Sequence, residues 1–453
     1  MTELVHCRHA LVDGAFADDV LIEVTDGRIT ALESPGASSV PRQAREPGPT
    51  REAREPGPAR EPGPAREARE PGLVSLTTVV PGFRNAHSHA FHRALRGRTH
   101  ADGGDFWRWR DRMYEAANGL TPESYEELAA AVFAEMRTAG YTSVSEFHYV
   151  HHRPDGEPYA DHDMELALAR AARAAGIRLL LLDTCYLAGG IGEPLSPAQR
   201  RFSDGTAARW LDRRRRLADA LADFADSPAS PGTTVGAAIH SVRAVAPDDL
   251  ALIAAELPVD VPLHIHLSEQ PAENAACLAA YGVTPTALLD RHGLLTPRLS
   301  VVHATHVTED DIALLGGSGA TIVMCPTTEA DLGDGIGPAP ELRAAGVRLA
   351  LGSDQHAVID PWEEMARLEL DQRLRLRRRG VFAPEELWAA GGGGRDGAPG
   401  FRVGDPFDAV EVDADSPRAA GAALLQLPLV ARASDVRATI VGGTVHHRTE
   451  GAS

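Results

Sequence analysis

Lysine is absent from this 453-residue chain: all 45 of its basic side chains other than histidine are arginine. Every fixed cation is instead a planar guanidinium, the group best matched to a carboxylate. Cysteine is scarce. Cys7, Cys185, Cys277 and Cys325 are scattered with no C-x-x-C pair, which argues against a disulfide framework or a cysteine zinc knuckle and leaves buried free thiols as the expectation. No run of about 18 apolar residues occurs, so no membrane-spanning helix is expected. The opening MTELVHCRHALVDGAF has no basic stretch followed by an apolar one. No secretory leader is expected, and the cytoplasm is the expected compartment. Positive charge is in deficit, 45 arginines against 64 acids for a net −19. Nucleic acid and anionic membranes are poor partners for such a field, and an acidic small molecule would need locally placed arginines.

What is present is a large apolar fraction, 43%, in a chain long enough for a barrel of about 250 residues plus a second module. Near the N-terminus VLIEVTDGRITAL reads as two short strands around an Asp26-Gly27 turn. Residues 44–72 repeat Pro-Gly among alternating Arg and Glu, a composition that cannot bury a core and predicts a disordered or polyproline-like insertion. From about 77 to 390 eight apolar runs alternate with helical stretches: LTTVVPGF, YTSVSEFH, IRLLLLDTC, VGAAIHSV, VPLHIHLS, LSVVHATH, ATIVMCP and VRLALGSD. This alternation predicts an α/β fold, a closed parallel (β/α)8 barrel. GGGGRDGAPG at 391–400 reads as a flexible junction, and DAVEVDA and VRATIVGGTVHHR in 391–453 as strands. Residues 1–76 and 391–453 are thus expected to pair into one small β-sandwich module flanking the barrel.

The polar residues fall at the C-terminal ends of the expected barrel strands, where active sites of such barrels sit. His87 and His89 follow VVPGFRNA, His240 follows VGAAI, His266 and Glu269 end VPLHIHLSE, His303 sits in LSVVHA, and Asp354 ends VRLALGSD. In H-x-H on an extended segment both imidazoles point to one side. A lone H-x-H is ordinarily two unrelated histidines. Joined by His266 and Asp354 at other strand ends, it becomes a set of three nitrogens and one carboxylate suited to zinc or another borderline divalent ion such as iron. His264, two residues before His266, could serve instead, but it lies one layer deeper and is expected to be buried and hydrogen-bonded.

Several segments carry a family resemblance. PGFRNAHSHAFHRALRG, FWRWRDRMYEAANGLTPE, AGYTSVSEFHYVHH, HSVRAV, HIHLSEQ, VVHATH, CPTTEADLGDGI and LGSDQH, spread over about residues 77–375, together resemble the formimidoylglutamate deiminases of the amidohydrolase superfamily. The resemblance implies hydrolysis of N-formimino-L-glutamate to N-formyl-L-glutamate and ammonia in histidine degradation. It implies His87, His89, His266 and Asp354 as metal ligands, and Glu269 and His303, with Asp354, as catalytic groups. It assigns His92, Arg110, Tyr149, His240 and Arg243 to a small dicarboxylate substrate. Binuclear members of the superfamily bridge their ions with a carboxylated lysine after the fourth strand. Here His240 stands near that place, which implies one divalent metal per chain. The analogy also implies a homodimer.

The chemistry suits these residue types. A formimino carbon needs a strong nucleophile at neutral pH, and a divalent ion lowers the pKa of bound water to about 7. Glu269 can carry the water proton to the departing nitrogen, His303 can stabilise developing charge, and Arg110 and Arg243 match two carboxylates. The chain departs from the family at His92, where glutamine is usual, at Gln355, where a small serine is usual, and after residue 380, where a helical Ala-Gly-rich run is shortened. These departures bear on substrate preference and leave the metal set intact. The alternatives are a related deaminase acting on a guanidino compound or a purine-like ring, and, more remotely, a non-catalytic barrel that only binds.

Overall fold

The computed structural model describes residues 2–34, 73–99, 106–224, 231–392 and 399–449. The expected insertion at 44–72 lies outside the described residues, as does 393–398 of the expected junction. Strands β1 (Thr2–Val12), β2 (Ala15–Thr25), β3 (Arg28–Glu33) and β4 (Leu73–Pro81) open the chain. The barrel strands follow: β5 (Phe83–Ser88), β6 (Tyr141–His148), β7 (Arg178–Cys185), β8 (Thr233–Ile239), β9 (Leu263–Leu267), β10 (Leu299–His303), β11 (Thr321–Met324) and β12 (Arg348–Leu351). The chain returns to strands at β13 (Ala409–Val412), β14 (Val436–Val441) and β15 (Thr444–Arg448). Strands β5 to β12 are hydrogen-bonded in sequence order, each parallel to the next, with helices between most neighbours. This is the (β/α)8 barrel that the alternation of apolar runs and helices predicts.

The helices start and stop where local chemistry dictates. Thr121 caps the helix Pro122–Thr138 by accepting from the Ser124 amide, with proline at the first helical position, where a missing N–H costs nothing. Gly176 closes the helix Asp163–Ala175 in the left-handed region.

The barrel closes through the site itself. His89 N–H donates to the Asp354 carbonyl and Asp354 N–H to the His87 carbonyl, both at 3.0 Å, joining the end of β5 to the end of β12. Gly352 permits this approach, since a Cβ there would lie 2.7 Å from the His87 Cβ. Register sets the layers inside: His264, Ser300, Thr321 and Arg348 lie abreast on β9 to β12, and His266, Val302, Val323 and Ala350 form the next layer up. Val302, Val323 and Cys325, with Ala86 and Ala350, make a small apolar cluster of their own.

The terminal strands form one seven-stranded sheet in the order β15-β14-β13-β4-β1-β2-β3. Its ends are brought back together: Ile29 N–H donates to the Asp405 carbonyl at 2.9 Å, and Gly443 approaches Gly27. The sheet thereby folds over its own core of Val5, Val20, Ile22, Phe401 and Phe407, giving the expected sandwich from a single sheet. LTTVVPGF proves to be two elements. Leu76–Pro81 belong to β4, which pairs with β1 and β13, and the first barrel strand begins only at Phe83. Gly82 is the crossing point, where a Cβ would sit 2.2 Å from Thr142 Cγ2. A bidentate Arg178–Asp408 ion pair ties barrel to sheet. All four cysteines are buried and free. Among the described residues no helix is long and apolar enough to cross a membrane.

Candidate functional site

The expected metal ligands reach one point from three strands. His87 lies within β5, His89 follows it and begins a short helix at Ala90–Leu95, His266 lies on β9, and Asp354 follows β12. His266 Nε2 stands 3.1 Å from His87 Nε2 and 3.2 Å from His89 Nε2. Asp354 Oδ1 lies 3.3 Å from His87 Nε2 and 3.6 Å from His89 Nε2. The second ring nitrogens explain this crowding. His89 Nδ1–H donates to the Phe147 carbonyl at 2.8 Å and His266 Nδ1–H to the His240 carbonyl at 2.9 Å. Both Nε2 atoms are therefore bare lone pairs facing each other, a repulsive contact unless a cation lies between them. Nitrogens about 2.0–2.1 Å from one tetrahedral ion stand roughly 3.3–3.4 Å apart, so the spacing fits one zinc-like ion. Burial, reinforced by neighbouring imidazoles, holds His87, His89 and His266 well below the usual histidine range, the neutral form that a ligand requires.

The remaining expected residues line one pocket above this point. His89, His92, Arg110, Tyr149, His240, Arg243, His266, Glu269, His303 and Asp354 all face it, while His87 sits behind, wholly buried. Glu269 follows β9 and His303 ends β10, with Glu269 Oε1 3.8 Å from His303 Nε2. Burial, which disfavours imidazolium, is overcome at His303 by Glu269, Glu329 and Asp354, and its pKa is held up to about 10. The ring faces the pocket. Burial pushes the Asp354 carboxyl up to about 6, against the pull of His303 and Thr328. Left-handed backbone at Ser268, His303, Ala304, Asp354 and His356 gathers at these strand ends, where packing on all sides holds strained residues in place.

Arg243 stands 3.9 Å from Glu269 and 3.7 Å from Glu273, so its guanidinium already sees two carboxylates. Arg110 comes from the helix Phe106–Asn118 and lies 5.7 Å from the Tyr114 ring centre. Tyr149 Oη and His92 Nε2 share a hydrogen bond of 3.1 Å. The ligand atom of His92 lies within 4.8 Å of those of His89 and Asp354. His240 packs against Tyr186, ring centres 4.3 Å apart, and burial keeps it neutral. His264 is buried as expected, but the hydrogen bond expected of it is missing at Nδ1, which has no partner; its side of the barrel borders a second cavity with Ser300 and Thr321.

Sequence reasoning missed several groups. Trp109, Met113, Tyr114, Tyr186 and Leu332 also line the pocket. Glu273 is buried beside Arg243, its pKa raised to about 7 by burial. Glu146, on β6, accepts from Ser88 Oγ at 2.5 Å and from the Ala90 amide at 2.6 Å, holding the turn that carries His87 and His89. The strand around it, YTSVSEFH, already mixes polar and apolar residues, so nothing local marks Glu146 out.

Comparison with known proteins places the chain in a family. A family model described as the amidohydrolase family matches residues 78–391. Formimidoylglutamate deiminase of Pseudomonas aeruginosa is 43% identical over 306 residues, 66% of this chain and 66% of that protein. The match thus spans about two thirds of that relative's length. A 5-methylthioadenosine/S-adenosylhomocysteine deaminase of Syntrophobacter fumaroxidans is 29% identical over 383 residues, 81% of this chain and 79% of the relative. Among solved structures, an amidohydrolase from Brucella melitensis superposes with a TM-score of 0.83 at 32% identity, covering 98% of this chain and 94% of that one. The chain belongs to the amidohydrolase family.

Proposed function

We propose that this amidohydrolase hydrolyses N-formimino-L-glutamate to N-formyl-L-glutamate and ammonia, a step of histidine degradation, with one divalent ion, zinc, per chain. The observation that carries the metal is the pair of bare Nε2 atoms of His89 and His266 at 3.2 Å, joined by His87 and Asp354. Zinc suits three imidazoles and one carboxylate, and such an ion supplies Lewis acidity that brings the pKa of water near 7. The likeness to the deiminase of P. aeruginosa supports the substrate.

The chain's own residues do the rest. Glu269 takes a proton from the attacking water and passes it to the imino nitrogen, giving a tetrahedral carbon with one amino and one hydroxyl group; it then carries the hydroxyl proton to the same nitrogen, so that the C–N bond breaks, the carbonyl forms and the nitrogen leaves as ammonia. The imidazolium of His303, 3.8 Å from Glu269, offsets negative charge arising as the formimino carbon becomes tetrahedral. Asp354 orients the water. Arg110 and Arg243 take the two substrate carboxylates, with Tyr149, His240 and His92 lining the chain between. Arg243 must exchange its contacts with Glu269 and Glu273 for the substrate, which leaves Glu269 free to accept a proton when substrate is bound.

The test is ammonia release from N-formimino-L-glutamate by the purified protein, with metal measured on the same sample. Release with about one ion per chain supports substrate and stoichiometry together. A full metal site without release would transfer the activity to another amidine or a purine-like ring.

A further inference from the structure

Each of the two carboxylates at the centre of the site, Glu269 and Asp354, is followed in sequence by a glutamine, and both glutamines reach the same short segment. Gln355 Nε2 donates to Asp331 Oδ2 at 2.6 Å, and Gln270 Nε2 donates to Asp334 Oδ1. Between these acceptors lies Leu332, the last residue of the helix Pro326–Leu332, which lines the pocket with Glu269, His303 and Asp354. The segment turns at Gly333 and Gly335, with φ of 72° and 111°. His306 Nε2–H donates to the Asp334 carbonyl at 2.9 Å, and the Gln372 amide to the Gly337 carbonyl at 2.8 Å. Residues 331–337 are thus a strap that places Leu332 in the pocket wall while Gly333, Gly335, Ile336 and Gly337 line a neighbouring cavity, and it is pinned from the turn after β9 through Gln270 and from the turn after β12 through Gln355.

Resting on the reading above of which pocket takes substrate, we propose that Leu332 is a specificity-determining wall, and that Gln270, Gln355, Asp331 and Asp334 are positioning residues that fix it against the reacting centre. The two pins tie the wall to the backbone beside each central carboxylate, so its distance from the amidine carbon is set by the groups that act on that carbon. A linear amidine passes beneath an apolar wall held in this way. A branched or cyclic substituent at the reacting end would have to lift the strap and break both pins. Asp334 argues that the pinning is worth its cost. Its carboxyl is buried and Oδ2 has no hydrogen-bond partner, a placement an apolar side chain would fill at lower cost.

Two measurements on the metal-loaded full chain test this. The first is hydrogen–deuterium exchange across 330–337, which needs no substrate. Gln355→Ala and Asp334→Ala are expected to raise exchange there, while Asp334→Asn, which keeps an acceptor oxygen, retains wild-type protection. Unchanged exchange in both alanine variants would overturn the pins whatever the substrate proves to be. The second is steady-state kinetics. Leu332→Ala is expected to raise KM for N-formimino-L-glutamate about tenfold or more with a smaller change in kcat. Gln355→Ala is expected to raise KM in the same direction, and the double variant to show less than the product of the two effects, since both act through one element. Multiplicative effects, or an unchanged KM in Leu332→Ala, would overturn the wall. A wild type that protects the strap but releases no ammonia would instead count against the substrate assignment.

Discussion

His89 and His266 are 177 positions apart, yet their Nε2 atoms stand 3.2 Å from each other with both Nδ1 protons committed to backbone carbonyls. Folding has spent energy to aim two lone pairs at one point, and a bound ion repays it. The apo protein is therefore expected to be less stable than the loaded one, by RT ln(1 + [L]/Kd). Thermal melts with and without a chelator, with metal analysis alongside, check this. Removing a ligand itself, as in His266→Ala, should weaken binding by more than the roughly 10–100-fold that loss of an outer hydrogen-bond partner costs. A variant that holds its full complement of metal would place the ion elsewhere.

Glu269 separates chemistry from binding. Glu269→Gln keeps the shape and leaves the three imidazoles and Asp354 in place, so metal content should match the wild type. Proton transfer is lost, and kcat should fall by about 10²–10⁴-fold. Wild-type turnover in this variant would remove Glu269 from the proton route, and loss of metal would reassign it to the ligand set.

Arg243 lies 3.9 Å from Glu269 and 3.7 Å from Glu273, so its removal has two consequences. The substrate loses a charge-assisted contact worth about 1.5–3 kcal/mol, an expected rise in KM of roughly 10–150-fold for Arg243→Ala. The buried Glu273 also loses its cation and is driven further toward the protonated form, because burial already raises its pKa to about 7. Arg243→Lys would retain charge but not the planar fork, and should recover only part of the loss. Equal KM in wild type and Arg243→Ala would place the substrate carboxylates elsewhere.

The parts of this site that were legible in the sequence share one property: they repeat a local pattern. Alternating apolar runs gave the barrel, and polar residues at run ends gave His87, His89, His266, Glu269, His303 and Asp354. What could not be read depends on spatial meetings that leave no periodic trace. The run LTTVVPGF looked like one strand, because only the pairing of β4 with β1 and β13, and of β5 with β6, shows that the chain changes sheets at Gly82. Glu146 gives no sign in sequence that it holds Ser88 and Ala90. Gln355 stood out as a departure from the family, but its partner Asp331 lies 24 positions away. His264 was legible as buried, but the hydrogen bond expected of it is absent at Nδ1.

Behind Tyr149 lies a charge network that offers a stability prediction. Arg213 reaches Glu165 at 2.9 Å, Asp183 at 2.7 Å and Asp204 at 2.8 Å, all nearly fully buried. Around it, His151 and His148 contact Glu165 at 2.9 and 3.3 Å, and His152 contacts Asp204 at 3.1 Å. One guanidinium thus anchors the segment 148–152 that presents Tyr149 to the pocket. Arg213→Met would strand three buried carboxylates, and removing one partner of a buried ion pair typically costs about 3–5 kcal/mol. A large fall in the melting temperature at neutral pH is expected, and a change of less than a few degrees would show the network to be dispensable. The pH dependence has a definite sign. Burial, which alone would raise the Glu165 and Asp204 carboxyls, is overcome by His148, His151 and Arg213 at Glu165, and by His152 and Arg213 at Asp204, and both stand below the usual range. Their contribution is therefore fully present above the unfolded carboxylate range near 4 and is lost as pH falls through the lower folded values. Melting temperature should drop below about pH 4 in the wild type. Glu165→Gln should show a shallower drop from a lower starting point, because the depressed carboxyl that couples folding to acid is gone.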